Sequence, residues 1–284
     1  MNIILAFDSF KESMSSTQAA QCFKKGFTKI IKSAHFSIIS ISDGGEGFVK
    51  SMTASTGGKS FYSEVNGPLM EKIKAFYGFI NKQNLGIVEM AAASGLHLVP
   101  LKKRNPLNTT TFGTGQLIKA AMGRGSKEII VGIGGSSTTD CGLGMAQALG
   151  AKIYHKNGSL FAPGIKGRDM INVSHIDISQ VKKIIGKTRI RVACDVTNPL
   201  YGKKGAAFVY GPQKGASPKI VKELDEGLKN IARVIKNDLG LNVAGLPGAG
   251  AAGGLGAGLR AFLNASLEKG IDILLDVAGF EKMC

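Results

Sequence analysis

The sequence predicts an α/β protein. Short apolar runs at residues 2–6, 36–41, 85–88, 128–133 and 189–194 have the length of buried strands. They alternate with longer stretches whose apolar residues recur at helical spacing, the mark of a layered α/β fold. Several strand ends run directly into glycine-rich turns, where such folds place their ligand-binding loops.

In chain order, the strand at 2–6 leads into the polar stretch Asp8-Ser9-Phe10-Lys11-Glu12-Ser13. Ala19, Ala20, Phe23, Phe27, Ile30, Ile31 and Ala34 then predict one helix over 16–33, capped by Ser15 or Ser16. The strand at 36–41 ends in Ser42-Asp43-Gly44-Gly45-Glu46-Gly47, and a helix follows near 48–55. From about Lys59 the texture changes. Ile73, Ala75, Tyr77 and Phe79 alternate at period two, as in a half-buried antiparallel strand. A chain of 284 residues has room for two domains. The boundary is expected near 58–66, at Gly57-Gly58 or Asn66-Gly67-Pro68. Further helices are expected near 112–123, 142–149, 218–238 and 252–267.

Composition excludes several classes. Apolar residues at 44% and charged residues at 20% fit an ordinary globular protein and not a disordered one. Glycine is 39 of 284 residues, about twice the ~7% average, without a collagen period. Trp is absent and aromatics are 7%, a poor supply for stacking single-stranded nucleic acid. Cys22, Cys141, Cys194 and Cys284 lack CxxC spacing and signal neither zinc nor a redox pair, as expected of idle thiols in a reducing cytoplasm. Asp8 and Lys11 break the N-terminal apolar run, so no signal peptide is read. The uncharged stretch 239–259 holds Pro247 and too many glycines for a membrane span. The net charge of +16 attracts anions. Its basic clusters are short and scattered, as on a solvated cationic surface.

Familiar motifs fail in context. Gly248-Ala249-Gly250-Ala251-Ala252-Gly253 matches GxGxxG, but no strand precedes it and Pro247 does. That stretch suits close backbone approach, to a ligand or to another helix. Neither Gly186-Lys187-Thr188 nor Gly58-Lys59-Ser60 completes a phosphate-binding P-loop. Stronger is Gly132-Ile133-Gly134-Gly135-Ser136-Ser137-Thr138-Thr139-Asp140-Cys141-Gly142, which follows a strand and precedes a helix. Backbone N–H groups there form an anion pocket. Gly134, Gly135, Ser136 and Ser137 are its nucleotide-binding candidates, and Asp140 could hold Mg²⁺. Asp43 and Glu46 put two carboxylates in a turn, enough for hydrated Mg²⁺. Asp8 and Lys11 follow a strand, and Lys11 could neutralise an anion. Arg104 opens a hydroxyl-rich loop through Thr110 and could bind a carboxylate bidentately; the alternative is a loop that caps the helix after Thr111. Asp195 and Asn198 offer a carboxylate and an amide after the strand at 189–194. His35, His97, His155 and His175 are isolated and read as structural.

Taken in order, these segments resemble the type I glycerate kinase family. The matching stretches are 8–13, 42–47, 89–95 with Val99-Pro100, 104–115, 132–150, 193–200, Gly211-Pro212-Gln213-Lys214-Gly215-Ala216 and 248–262. The resemblance implies phosphorylation of D-glycerate with ATP and Mg²⁺ in the cytoplasm, with no nucleic-acid or membrane partner. It implies two α/β domains, a flavodoxin-like one at 61–284 inserted into a restriction-endonuclease-like one that begins at 1–60. Family chains continue past the point matching Asp276-Val277-Ala278-Gly279. The first domain is therefore expected to be incomplete here, exposing faces that favour homo-oligomers. In this reading Gly134, Gly135, Ser136 and Ser137 hold phosphate, Asp43, Glu46 or Asp140 holds Mg²⁺, and Lys11 offsets charge. Arg104, with Thr110 and Asn198, holds glycerate, and Asp8 or Asp195 orients the attacking hydroxyl. The competing readings are a remnant that binds nucleotide without turnover and, on charge alone, a nucleic-acid-associated protein.

Overall fold

The computed structural model describes residues 1–7, 13, 14, 16–40 and 47–279. In chain order the elements are β1 (Asn2–Phe7), α1 (Ser16–Phe27), β2 (His35–Ser40), α2 (Phe48–Thr56), β3 (Lys59–Asn66), β4 (Lys72–Ile80), β5 (Leu85–Glu89), α3 (Ala91–Ser94), α4 (Phe112–Gly123) and β6 (Glu128–Gly132). They continue with α5 (Leu143–Ala148), β7 (Lys152–His155), β8 (Val173–Asp177), α6 (Ser179–Ile185), β9 (Arg189–Ala193), α7 (Ala206–Tyr210), α8 (Pro218–Leu239), α9 (Ala251–Leu263), β10 (Ser266–Glu268) and α10 (Gly270–Ala278).

The central sheet has six strands in the order β10-β9-β6-β5-β4-β3. β5, β6, β9 and β10 are mutually parallel, and β4 and β3 extend one edge as an antiparallel pair. All five residues of β5 are buried, which is why its run is apolar without alternation: helices cover both faces. Ile129 and Val131 of β6 face a large core shared with α4, α5, α8 and α9. Ile130 points the other way, into a smaller cluster with Phe48, Val49 and Met52 of α2 and Ile273 and Leu274 of α10. β1 and β2 form a separate parallel pair covered by α1. α2 touches β2 on one side and β4 and β5 on the other. No described helix is long and apolar enough to cross a membrane.

α8 shows how local chemistry sets an element's limits. Ser217 accepts the Ile220 N–H at 3.4 Å, Pro218 opens the first turn, and Gly240 closes the helix in a left-handed conformation. Two helices depart from expectation. α1 stops at Phe27 instead of residue 33, where Thr28 Oγ1 donates back to the Lys24 carbonyl at 2.9 Å. Gly26 and the β-branched Thr28, Ile30 and Ile31 are weak helix formers, and Ile30 is 85% exposed, so no core contact rescues that turn. α9 ends at Leu263, not residue 267. Asn264 takes a left-handed conformation, and Ser266–Glu268 joins the sheet as β10.

Candidate functional site

Four parallel strands deliver their C-terminal ends to one edge of the sheet. Glu89, Gly132, Ala193 and Glu268 close β5, β6, β9 and β10 there. The loops at 90–95, 133–142 and 194–200 therefore start side by side, the arrangement in which open α/β sheets bind ligands.

The loop after β6 is the centre of this edge. Leu96 N–H donates to the Gly135 carbonyl at 2.9 Å. The N–H and the hydroxyl of Ser137 both donate to the Ser94 carbonyl, at 3.0 and 2.9 Å. Gly135 is exposed, Gly134 is partly exposed, and no described residue accepts a hydrogen bond from either N–H. These are the properties of an anion cradle. Deeper in the loop, Asp140 is fully buried. Its Oδ2 accepts the Thr111 N–H (2.8 Å), the Thr111 hydroxyl (2.7 Å) and the Gly144 N–H (3.3 Å), while Oδ1 accepts the Gly142 N–H (3.2 Å). Burial raises its pKa, and these bonds oppose the rise. The Thr111 hydroxyl also accepts the Met145 N–H at 2.9 Å, so one carboxylate joins the starts of α4 and α5.

The glycine-rich segment at 248–258 closes over this loop. Cys141 N–H donates to the Gly253 carbonyl at 3.2 Å. A Cβ on Gly253 would lie 2.0 Å from the Thr138 carbonyl oxygen, and Gly253 has φ +70°. Gly250 N–H donates to the Asn198 carbonyl at 3.0 Å. Here the segment packs backbone on backbone against two loops: it ties the loop after β6 to the loop after β9.

The expected site residues fall into three groups. Gly134, Gly135, Ser136, Ser137, Asp140 and Thr110 gather around the loop after β6. Arg104 reaches the same region, since its carbonyl packs against Gly215, where a Cβ would approach it to 2.2 Å. Its Nε donates to the Val99 carbonyl at 3.4 Å. Asp195 and Asn198 sit on the neighbouring loop. Asp195 is exposed and accepts the Gly270 N–H at 2.9 Å, at the start of α10. Asn198 donates to the Lys204 carbonyl (2.8 Å) and accepts the Tyr210 hydroxyl (2.6 Å). Asp8, Lys11, Asp43 and Glu46 lie outside the described residues. The Gly47 N–H donates to Glu89 Oε1 at 3.2 Å, while the Val49 N–H reaches Oε2 at 3.3 Å.

Three assignments need correction. Asp140 does not suit a metal: both its oxygens are engaged by N–H and O–H donors inside the protein. Among the described residues no cluster of three or more His, Cys, Asp or Glu side chains could hold one. Thr110 is fully buried, its hydroxyl accepts the Phe112 N–H at 3.2 Å, and it faces Gly144, so it supports the α4–α5 contact instead of reaching substrate. The Ser137 hydroxyl is consumed by Ser94.

Two residues escaped the sequence reading. Lys214 is 1% exposed, and its Nζ donates to Ser136 Oγ (2.8 Å) and to the Thr138 carbonyl (2.7 Å). Burial pushes its pKa down to about 7 against the pull of Asp140. Glu89, 2% exposed, satisfies orphan N–H groups at the start of α2. Both lie in stretches that carry the family resemblance, but neither was given a role: the local signals were a lysine set among Gly and Pro, and a carboxylate ending an apolar strand.

The model of the glycerate kinase family matches residues 3–284. The chain belongs to the glycerate kinase family. It is 48% identical over 281 residues to "Glycerate kinase" from Halalkalibacterium halodurans, covering 99% of this chain and 73% of that protein. To "Glycerate 2-kinase" of Escherichia coli it is 48% identical over 282 residues, covering 99% and 74%. A crystal structure of a putative glycerate kinase 2 from Salmonella typhimurium LT2 superposes with a TM-score of 0.94 at 46% identity, covering 99% of this chain and 75% of that one. The chain thus spans about three quarters of the length of these glycerate kinases. A remnant without turnover finds no support in these likenesses.

Proposed function

We propose that the chain transfers the γ-phosphoryl group of ATP to a hydroxyl of D-glycerate. The observation that carries this reading is the turn at Gly134 and Gly135: two glycines, one partly exposed and one exposed, whose N–H groups have no described acceptor, at the end of a buried parallel strand, in a glycerate kinase family chain. Phosphoryl transfer asks mainly for positioning and neutralised charge. The two glycine N–H groups and the Ser136 hydroxyl would hold phosphate oxygens. Arg104 would pair with the glycerate carboxylate, with Asn198 on the adjoining loop. The substrate hydroxyl oxygen bonds to the γ-phosphorus as the bond to the ADP oxygen breaks, and its proton passes to a carboxylate. Asp195 is the described candidate, and Asp8 the other. Lys11 would offset charge. Asp43 and Glu46 would hold Mg²⁺, which would supply positive charge to the ATP phosphates.

The name of the Escherichia coli relative favours the 2-hydroxyl as acceptor. Coupled ADP release with D-glycerate tests the whole reading, and phosphorus NMR of the product separates the 2- from the 3-phosphate. Glycerate-dependent ADP formation is expected, with loss of most activity in Arg104→Ala. An absence of glycerate-dependent turnover would overturn the reading.

A further inference from the structure

Lys214 has no part in the mechanism above, yet a fully buried ammonium is costly unless its protons are well used. Two of them are: Nζ spans Ser136 Oγ at 2.8 Å and the Thr138 carbonyl at 2.7 Å. Ser136 directly follows Gly134 and Gly135, and Thr138 lies two residues further on. The loop is poorly supplied with bonds of its own. Thr138 Oγ1 and Thr139 Oγ1 are buried with no hydrogen-bond partner among the described residues. Its course is set from outside, by Ser94, by Gly253 and by Lys214. The next residue, Gly215, has φ +91°, and only the lack of a Cβ lets it lie against the Arg104 carbonyl. The segment at 214–215 therefore touches the proposed phosphate loop with one residue and the proposed carboxylate-binding segment with the next.

We propose that Lys214 is a positioning residue for nucleotide binding: from inside the molecule it holds Ser136 and Thr138, and so keeps the turn at Gly134 and Gly135 in the shape that receives phosphate. This rests on the reading of that turn given above. Charge-assisted bonds to a backbone carbonyl and a hydroxyl are the strong kind. Their loss should free the loop without touching the glycerate side directly.

The test compares wild type, Lys214→Met, Ser136→Ala and the double variant. ADP affinity is read by titration calorimetry, KM for ATP and for D-glycerate by turnover, and loop order by amide exchange. In folded Lys214→Met, ADP affinity should fall about tenfold or more, the scale of a charge-assisted hydrogen bond. KM for ATP should rise with it while KM for D-glycerate stays within about twofold, a split that general destabilisation would not produce. Amide exchange should quicken at 134–138 and not in α10. At 134–138 the double variant should exchange no faster than Lys214→Met, because Ser136 and Lys214 hold the loop through each other, while any further loss of ADP affinity measures the direct contact of the Ser136 hydroxyl with phosphate. Wild-type ADP affinity together with unchanged exchange at 134–138 in Lys214→Met would overturn the inference alone. If Lys214→Met does not fold, amide exchange in Ser136→Ala decides: quicker exchange at 134–138 is expected, and unchanged exchange there overturns the inference. Wild type that binds no ADP would overturn the proposed function, while the exchange comparison still decides whether Lys214 holds the loop.

Discussion

Asp140 and Lys214 are both enclosed beside the same loop, and burial moves each toward its neutral form. For Lys214 the consequence has a definite sign. The folded protein releases its proton at about 7, the unfolded chain only near 10.5. Between those values the unfolded chain binds more protons, so this group makes stability rise with pH, by at most about 1.4 kcal/mol per pH unit. Below that window both states are protonated and the slope vanishes. Urea melts at about pH 7, 8 and 9 should show a steeper rise in wild type than in Lys214→Met, and parallel slopes would mean that the ammonium is not desolvated as described. Asp140→Asn is a second residue-scale prediction. An amide nitrogen would replace one acceptor among four donors, setting N–H against N–H. Chemical denaturation should show a loss of about 2–4 kcal/mol. Little of this was legible in the sequence. Asp140 was visible as an acid in a glycine-rich turn, but a letter does not say on which side of a loop its side chain lies. Metal binding and internal anchoring use the same residue type.

At the scale of elements, the packing of α9 can be tested at Gly253, with the unpacked Gly123 of α4 as a control. Gly253→Ala would force a Cβ onto the Thr138 carbonyl at a residue with φ +70°, where backbone cannot yield cheaply. A loss of about 3 kcal/mol or more is expected by denaturant melt, with a collapse of nucleotide affinity because the loop at 138–141 must shift. Gly123→Ala, exposed in the last turn of α4 with nothing within 4 Å, should gain about 0.5 kcal/mol. α10 rests on a different device. Arg191 on β9 is 7% exposed. Its guanidinium reaches Glu268 of β10 at 2.6 Å, Asp276 of α10 at 2.7 Å and Glu128 of β6 at 3.4 Å. Burial works to raise the Glu268 pKa, and the Arg191 bonds overcome it and hold it below the ordinary value. Arg191→Met leaves three carboxylates facing one another and should cost about 3–5 kcal/mol, with faster amide exchange in α10. Exchange unchanged there would show that apolar packing of Ile273 and Leu274 alone holds the helix. Periodicity revealed the long amphipathic α8 and the buried β5, β6 and β9, whose patterns are set by burial. It missed β10 and misjudged the ends of α9, because three residues completing a sheet edge carry no period, and helical letters at 252–254 say nothing of the neighbouring loop that bends them.

At the scale of the molecule, strand–loop–helix alternation sufficed for the α/β class, while the order of the six strands depended on pairings between distant segments that no local pattern encodes. The net charge of +16, by contrast, was legible from composition, and only its purpose was open. A chain that handles ATP and a hydroxy acid meets two anions, and a positive surface raises their encounter rate over distances set by salt. The screening length is about 10 Å at 0.1 M salt and grows as salt is removed. If the charge steers substrates, kcat/KM for ATP should fall several-fold as ionic strength rises from about 20 to 200 mM, with kcat nearly constant, because the bound complex is already shielded by its own contacts. If it served nucleic acid instead, duplex DNA would bind with a steep log-log dependence on salt. Steady-state kinetics and a duplex-binding titration over the same salt series separate the two. A flat kcat/KM together with no duplex binding would reduce the charge to a solvated surface, since a field that changes neither encounter has no ligand to act on.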